Sequence, residues 1–339
     1  MGHVAPALAV AEALQRRGVL VTFAGSPDRV EATLVPERGY AFDSFSISGL
    51  PRRPSLALAR AAGQALTAPP ACFKILGKRR PDVVLGAGGY VAGPMVLAAR
   101  MRGIPCALTE ADAHLGLANR LAAPLADRVF LALPVGRHGE KYRPVGRPIP
   151  AASRAHPRAE ARAALGLAPD AHVVLIFGGS LGARLLNDVA LDAWAEAGPS
   201  VIHLCGERDY PELRDRATRP DYILRPFMDE IGLAYGAADI VLARAGGSVW
   251  ELAAAGLPAV LVPGEFATGA HQEKNARWFV DGGGAVVVPE ADASTAPRIV
   301  EELLADPTRL GAMATAMRTA AKPDAAEEIA DELVGLARR

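Results

Sequence analysis

Short apolar runs of β-compatible residues alternate with alanine-rich amphipathic segments along this 339-residue chain, and no other feature restricts its fold so strongly. Val19–Ala24, Val83–Leu85, Cys106–Thr109 and Val129–Leu131 read as strands in the first half. Val173–Phe177, Val201–Leu204, Ile240–Ala243, Ala259–Val262 and Ala285–Val288 do so in the second. Helical patterning fills the intervals, as in Pro6–Arg16, Met95–Met101 and Glu251–Ala255. Strands that are apolar along their whole length are buried on both faces, which means parallel sheet covered by helices. The chain is long for one domain and comfortable for two. Gly146-Arg147-Pro148-Ile149-Pro150-Ala151-Ala152-Ser153, followed by the charged helix Arg158–Leu165, marks the seam. The expectation is an α/β protein of two doubly wound domains, residues 1–148 and 156–322, facing across a cleft. A C-terminal helix, Asp324–Arg338 within residues 323–339, is expected to pack back across the seam. Ligands of such sheets bind outside the carboxyl ends of the strands.

Half of the residues are hydrophobic and 22% are charged, enough for a full core and too few charges for disorder. The net charge is zero, but residues 1–148 carry 19 Lys+Arg against 10 Asp+Glu, and the remainder 18 against 27. A basic first half suits an anionic partner; chance scatter over two surfaces is the plain alternative. Cys72, Cys106 and Cys205 are an odd, widely spaced set without a CxxC, which points to a reducing compartment and away from structural zinc. No apolar run reaches the roughly 18–20 residues of a membrane span. The sequence opens directly on a helical pattern without a signal peptide, so a soluble, cytoplasmic protein is expected. No nucleic-acid partner is expected.

Glycine turns carry the candidate chemistry. Arg244-Ala-Gly-Gly-Ser-Val-Trp-Glu251 follows the strand Ile240–Ala243 and enters a helix, with Pro263-Gly264-Glu265 and His271-Gln272-Glu273-Lys274-Asn275 downstream. A glycine turn at a helix start offers backbone N–H groups and a positive dipole end to a phosphate, and Glu251 can accept from both hydroxyls of a ribose. An ordinary βα turn is the alternative. Phe177-Gly178-Gly179-Ser180-Leu181-Gly182-Ala183-Arg184 repeats the arrangement, with a hydroxyl at Ser180. It lacks the P-loop lysine and is not the dinucleotide GxGxxG. Gly86-Ala87-Gly88-Gly89-Tyr90-Val91-Ala92-Gly93-Pro94 forms a similar turn in the first half, again with a packing turn as the alternative. Gly2-His3-Val4-Ala5-Pro6 enters the first helix, where a histidine facing a cleft has its pKa lowered and serves as a neutral base.

With these segments in view, the chain resembles the MurG family of UDP-N-acetylglucosamine transferases. Gly2 to Ala11 is similar to the end of that family's GGTGGHxxPALAxA loop, and Gly88 to Pro94 to its GGYxSGP segment. Gly178 to Asn187 is similar to GGSxGAxxxN, and His271 to Ala276 to HQxxNA. The resemblance runs in order over nearly the whole chain. It implies a GT-B fold and inverting transfer of N-acetylglucosamine from UDP-GlcNAc to a lipid-linked acceptor, lipid I to lipid II. It implies a peripheral place on the cytoplasmic face of the cell membrane, with no cofactor and no metal. It assigns the donor to Gly179, Ser180 and Gly182, Met228 at the uracil, and Arg244, Gly247, Ser248 and Val249 at the second turn. Glu251 falls to the ribose, and Gln272 and Asn275 to the sugar hydroxyls. Gly2, Gly88, Gly89, Tyr90, Asp112 and Asn119 fall to the acceptor. His3 is the first candidate for the base and Glu110 the second.

The chain also departs from the family pattern. The family's first strand and most of its first glycine loop have no counterpart here, so sheet edges should be exposed and a start upstream of Met1 is expected. HEQN is replaced by Thr109-Glu110-Ala111-Asp112, and the arginine after GNPV by Pro150, with Arg147 as the nearest substitute. The turn from Arg244 to Glu251 is one residue shorter than RxGAxTxxE. These changes leave room for two alternatives, a GT-B transferase with another acceptor or a UDP-sugar-binding paralogue without turnover; a UDP-GlcNAc epimerase shares the fold but needs a carboxylate set around the sugar that the sequence does not show. Leu56–Arg80 joins apolar Leu56, Leu58, Leu66, Phe73, Ile75 and Leu76 to basic Lys74, Lys78, Arg79 and Arg80. That pattern suits docking on an anionic inner-membrane surface, or else a core helix with a solvated turn.

Overall fold

The computed structural model describes residues 2–48, 56–137, 139–179, 182–264 and 271–338; the side chains of residues 56–62 and 271 are outside the description. It divides into two units, Met1–Pro150 with Pro323–Arg339, and Ala151–Lys322.

The first unit runs α1 (Val4–Arg16), β1 (Thr22–Gly25), α2 (Glu31–Glu37), β2 (Ala41–Ser44), α3 (Leu56–Arg79), β3 (Val84–Gly86), α4 (Gly89–Met101), β4 (Cys106–Glu110), α5 (Leu117–Ala122), β5 (Arg128–Leu131) and β6 (Tyr142–Pro144). Every strand pair in it is parallel. β4 is buried almost throughout because α4 and its neighbours cover it, which is what its apolar run requires.

The second unit continues α6 (Arg158–Leu165), β7 (Val173–Phe177), α7 (Arg184–Trp194), β8 (Ser200–Leu204), α8 (Tyr210–Leu213), β9 (Tyr222–Arg225), α9 (Ile231–Ala237), β10 (Ile240–Ala243), α10 (Val249–Ala255), β11 (Ala259–Leu261), α11 (His271–Asp281), β12 (Ala285–Val287), α12 (Ala296–Leu304) and α13 (Pro307–Ala320). Its sheet has the order β12-β11-β10-β7-β8-β9, all parallel. That is the doubly wound order, and chain direction across the sheet reverses between β7 and β10. All residues of β7, β8, β10 and β11 are buried. Each such Val, Leu or Ile contributes about 1.5–3 kcal/mol by leaving water. Arg162, fully buried, clamps α6 to this sheet: it donates to the Ala237 and Pro169 carbonyls at 3.1 and 2.6 Å and to Asp239 at 2.9 Å.

The last helix, α14 (Ala325–Ala337), packs on α1 through Ile329, Ala330 and Leu333 against Val10, Ala13 and Leu14. Ion pairs of Arg16 and Arg17 with Glu327, and of Arg143 with Glu332, frame that contact.

One irregularity sets the first unit apart. Its strands fall into two sheets, β1-β2 and β3-β4-β5-β6, and not one. β1 and β3 flank a cavity of about 990 Å³, lined by Val10, Leu14, Phe23, Leu85, Leu333 and Val334 among others. β1 is correspondingly only half-buried along most of its length, unlike β7 in the second unit. β1 and β3 each end a sheet, yet contrary to the expectation of exposed edges neither carries an exposed residue.

Candidate active site

In the second unit the switch point brings two turns side by side, one after β7 and one after β10. The first passes through Gly179 (φ +96°) and Gly182 (φ +77°) into α7. A Cβ on Gly182 would lie 2.2 Å from the Cys205 carbonyl oxygen, so only glycine brings this turn so close to the end of β8. Ser180, assigned to the donor diphosphate from the sequence, lies outside the described residues. Beneath the turn, Asn187 donates 2.9 Å hydrogen bonds to the Cys205 carbonyl and to Asp209. Its carbonyl oxygen lies 2.9 Å from His203 Nε2, and His203 Nδ1 lies 2.8 Å from the Tyr222 hydroxyl. Burial pushes the His203 imidazole down to about 3, so the ring is neutral.

The second turn leaves β10 at Ala243. Arg244 donates to the Val262 carbonyl at 3.1 Å and pairs with Glu290, which pins its guanidinium across the ends of β10 and β11. Gly247 and Ser248 stay partly exposed, while Val249 turns into the core as α10 begins. Glu251 stands partly exposed in the first turn of α10 and accepts a 2.7 Å hydrogen bond from the Tyr235 hydroxyl. Gln272 accepts from the Gly264 N–H at 2.9 Å, and the same glycine lies beside Arg244, so those three groups converge. Asn275 and Met228 are both buried, Asn275 one helical turn along α11 from Gln272.

In the first unit His3 stands at the N-terminus of α1, and its ring packs against the turn after β3. A Cβ on Gly88 (φ +96°) would meet His3 Nδ1 at 2.6 Å, so the glycine admits the imidazole. The residue as a whole is exposed, yet the protein packed beside its ring desolvates it. That desolvation, and secondarily the charge of Arg147, lowers the His3 pKa below 6.5; Asp112 and Glu110 pull weakly the other way. Arg147 is buried and donates to the Gly2 carbonyl, and it lines one small hollow with His3 and Glu110. Glu110 accepts from the N–H groups of Asp112 (3.3 Å) and Gly116 (2.9 Å) and from Asn119 Nδ2 (2.9 Å). Asn119 also donates to the Thr109 carbonyl at 3.0 Å. Gly89 opens α4, and Tyr90 beside it is exposed.

The structure thus gathers His3, Glu110, Asp112, Gly88 and Gly89 in the first unit, and Gly182, Arg244, Gly247, Ser248, Glu251 and Gln272 about the switch point of the second. Sequence reasoning missed Tyr235, Glu290 and the place of Arg147 beside His3. Tyr235 carried no signal, being one aromatic residue on an apolar helix. Arg147 carried a weak one, as a cation inside the seam.

Residues 1–131 match the glycosyltransferase family 28 N-terminal domain and residues 173–329 the glycosyltransferase family 28 C-terminal domain. The chain belongs to glycosyltransferase family 28. Among family relatives is a UDP-N-acetylglucosamine–N-acetylmuramyl-(pentapeptide) pyrophosphoryl-undecaprenol N-acetylglucosamine transferase of Mycobacterium sp. (strain KMS). It is 43% identical over 99% of this chain and 93% of its own length. The transferase of that name from Mycolicibacterium paratuberculosis is 41% identical over 99% of this chain and 86% of its own length. Among solved structures, MurG of Acinetobacter baumannii superposes with a TM-score of 0.78 at 30% identity, covering 98% of this chain and 96% of that one. A UDP-GlcNAc 2-epimerase from Neisseria meningitidis, solved bound to UDP-GlcNAc, has a TM-score of 0.66 at 15% identity, covering 98% and 97%; that likeness is one of fold alone. The family 28 chain accordingly has the GT-B fold, with two Rossmann-like units.

Proposed function

We propose that this family 28 chain transfers N-acetylglucosamine from UDP-GlcNAc to undecaprenyl-diphospho-N-acetylmuramoyl-pentapeptide, with inversion, converting lipid I to lipid II in peptidoglycan synthesis. The observation that carries the reading is the pair of turns at the switch point, with a carboxylate in the first turn of α10, in a chain 43% identical over nearly its full length to a transferase of that name. In this reading the turns after β7 and β10, Gly179, Ser180, Gly182, Gly247, Ser248 and Val249, face the donor diphosphate. Gly182 and Val249 spend their N–H groups on the Gly179 and Gly246 carbonyls, which shapes the turns, and the positive ends of α7 and α10 stabilise the charge that grows on UDP as it leaves. Arg244 backs the second turn, Met228 meets the uracil, Glu251 the ribose, and Gln272 with Asn275 the sugar hydroxyls.

His3 takes the proton from the acceptor hydroxyl as its oxygen bonds to the anomeric carbon and the bond to UDP breaks. Its lowered pKa supports this role, because the imidazole is then neutral at pH 7. Glu110 is already the acceptor of three hydrogen bonds, which favours a part in holding the Asp112–Asn119 loop beside the acceptor. Gly2, Gly88, Gly89 and Tyr90 contact the acceptor diphosphate. Leu66, Phe73, Leu97, Met101, Leu117 and Leu121 on α3, α4 and α5 remain exposed, with Arg102 stacked over the Phe73 ring and Lys74 and Lys78 nearby. They support peripheral docking on the anionic cytoplasmic face of the membrane. Leu76 and Cys72 of the same helix α3 are core, as the core-helix reading of Leu56–Arg80 requires, and docking is proposed for its exposed residues alone.

Mass spectrometry of lipid-linked acceptors incubated with UDP-GlcNAc tests the reading. Gain of one N-acetylhexosamine on the muramoyl-pentapeptide lipid is the expected result. Gain only on acceptors of other structure contradicts the acceptor, and UDP-GlcNAc binding without any product contradicts the transfer.

A further inference from the structure

Tyr235 touches the donor site only through Glu251 and has no contact of its own in the proposed reaction. It sits on α9, 1% exposed, with its ring 6.3 Å from that of Phe177 at the end of β7. Its hydroxyl donates a 2.7 Å hydrogen bond to Glu251 Oε2 on α10. Its phenol is pushed well above its usual range, first by burial and then by the Glu251 carboxylate, so it stays protonated and acts as a donor. The side chain therefore ties the carboxylate of the β10 turn to the strand that carries the other turn. Such a tie is needed. A glutamate side chain has several rotamers unless a partner holds it, and a carboxylate oxygen that accepts from one hydroxyl keeps a second lone pair for a ligand hydroxyl.

We propose that Tyr235 is the positioning residue of the donor site, fixing the Glu251 carboxylate in the orientation that accepts the two vicinal hydroxyls of the nucleotide's ribose. The proposal rests on the donor assignment made above. It predicts that Tyr235 acts on the ribose alone, leaving uracil and diphosphate recognition as they are. Loss of one hydrogen bond to a charged group weakens binding on the order of 10-fold or more.

The test is calorimetric titration of the full chain with UDP and with 2′,3′-dideoxy-UDP. The unsubstituted protein should bind UDP at least tenfold more tightly. Tyr235→Phe, which keeps the ring and deletes one oxygen, should bind dideoxy-UDP as before while its preference for UDP shrinks toward unity. In turnover its KM for UDP-GlcNAc should rise with kcat little changed. A merely structural role would weaken both ligands alike and lower the thermal midpoint. Retention of the full preference in Tyr235→Phe overturns the positioning role and leaves the donor assignment standing. Equal affinity of the unsubstituted protein for both ligands overturns Glu251 as the ribose group, and the proposal with it. Should Tyr235→Phe fail to fold, 3-fluorotyrosine at position 235 replaces it. Its more acidic phenol should shift the preference for UDP, and an unchanged preference overturns the proposal.

Discussion

At the scale of single residues, the site depends on close approaches that only particular side chains permit. His3 rests on Gly88 because no Cβ intervenes, and this contact desolvates the ring and lowers its pKa. The sign has a direct consequence. A base with a folded pKa below 6.5 is more than half unprotonated at pH 6.5, so the midpoint of the acid limb of kcat/KM should fall below that value. In His3→Ala, turnover should fall on the order of 10²–10⁴-fold and this limb should disappear. Steady-state rates across pH check both; a near-normal rate in the variant, or an acid limb centred above pH 6.5, contradicts the assignment. The glycine turns were legible in the sequence because their residues lie together in it. Tyr235 was not, because its role arises where α9 meets α10, 16 positions away, and Arg147 meets the Gly2 carbonyl across 145 positions.

At the scale of elements, the apolar interior strands announced themselves, and the strands without such a signal, β2, β6 and β9, all lie at sheet edges. Val173–Phe177 and Ile240–Ala243 are buried on both faces, so apolar side chains fill every position. β2 and β6 are largely exposed and carry Asp43 and Arg143, and β9 ends on the exposed Arg225; none has a pattern that marks a strand. The helix α14 was legible from its apolar stripe, and it meets α1 with the complementary stripe. The cavity between β1 and β3 is lined by residues of both strands and by apolar side chains of α1 and α14. A chain extended ahead of Met1 by an apolar, strand-forming segment should therefore unfold at a higher temperature than the 339-residue chain. For units of this size each kcal/mol gained raises the midpoint by roughly 2–4 °C. Differential scanning calorimetry against a Gly/Ser extension of equal length is the check. Equal midpoints for the two extensions would show that the cavity takes no strand.

At the scale of the whole molecule, the distribution of charge and apolar surface is part of the proposed reaction. The basic first half bears the exposed apolar residues of α3, α4 and α5, while the second half is acidic and bears the two turns proposed for the donor. Sedimentation with vesicles should show binding that requires anionic lipid and weakens with salt. Replacing Leu66, Leu117 and Leu121 by Gln should reduce it without changing UDP binding; salt-independent or absent sedimentation contradicts the docking surface. The central claim is a single in-line displacement at the anomeric carbon of UDP-GlcNAc by a lipid-linked hydroxyl. Its most direct measurement is the anomeric configuration of the isolated product, read by nuclear magnetic resonance alongside UDP release. A β-linked disaccharide lipid formed in step with UDP is the predicted result. An α-linked product, or UDP released at the same rate without acceptor, would contradict it.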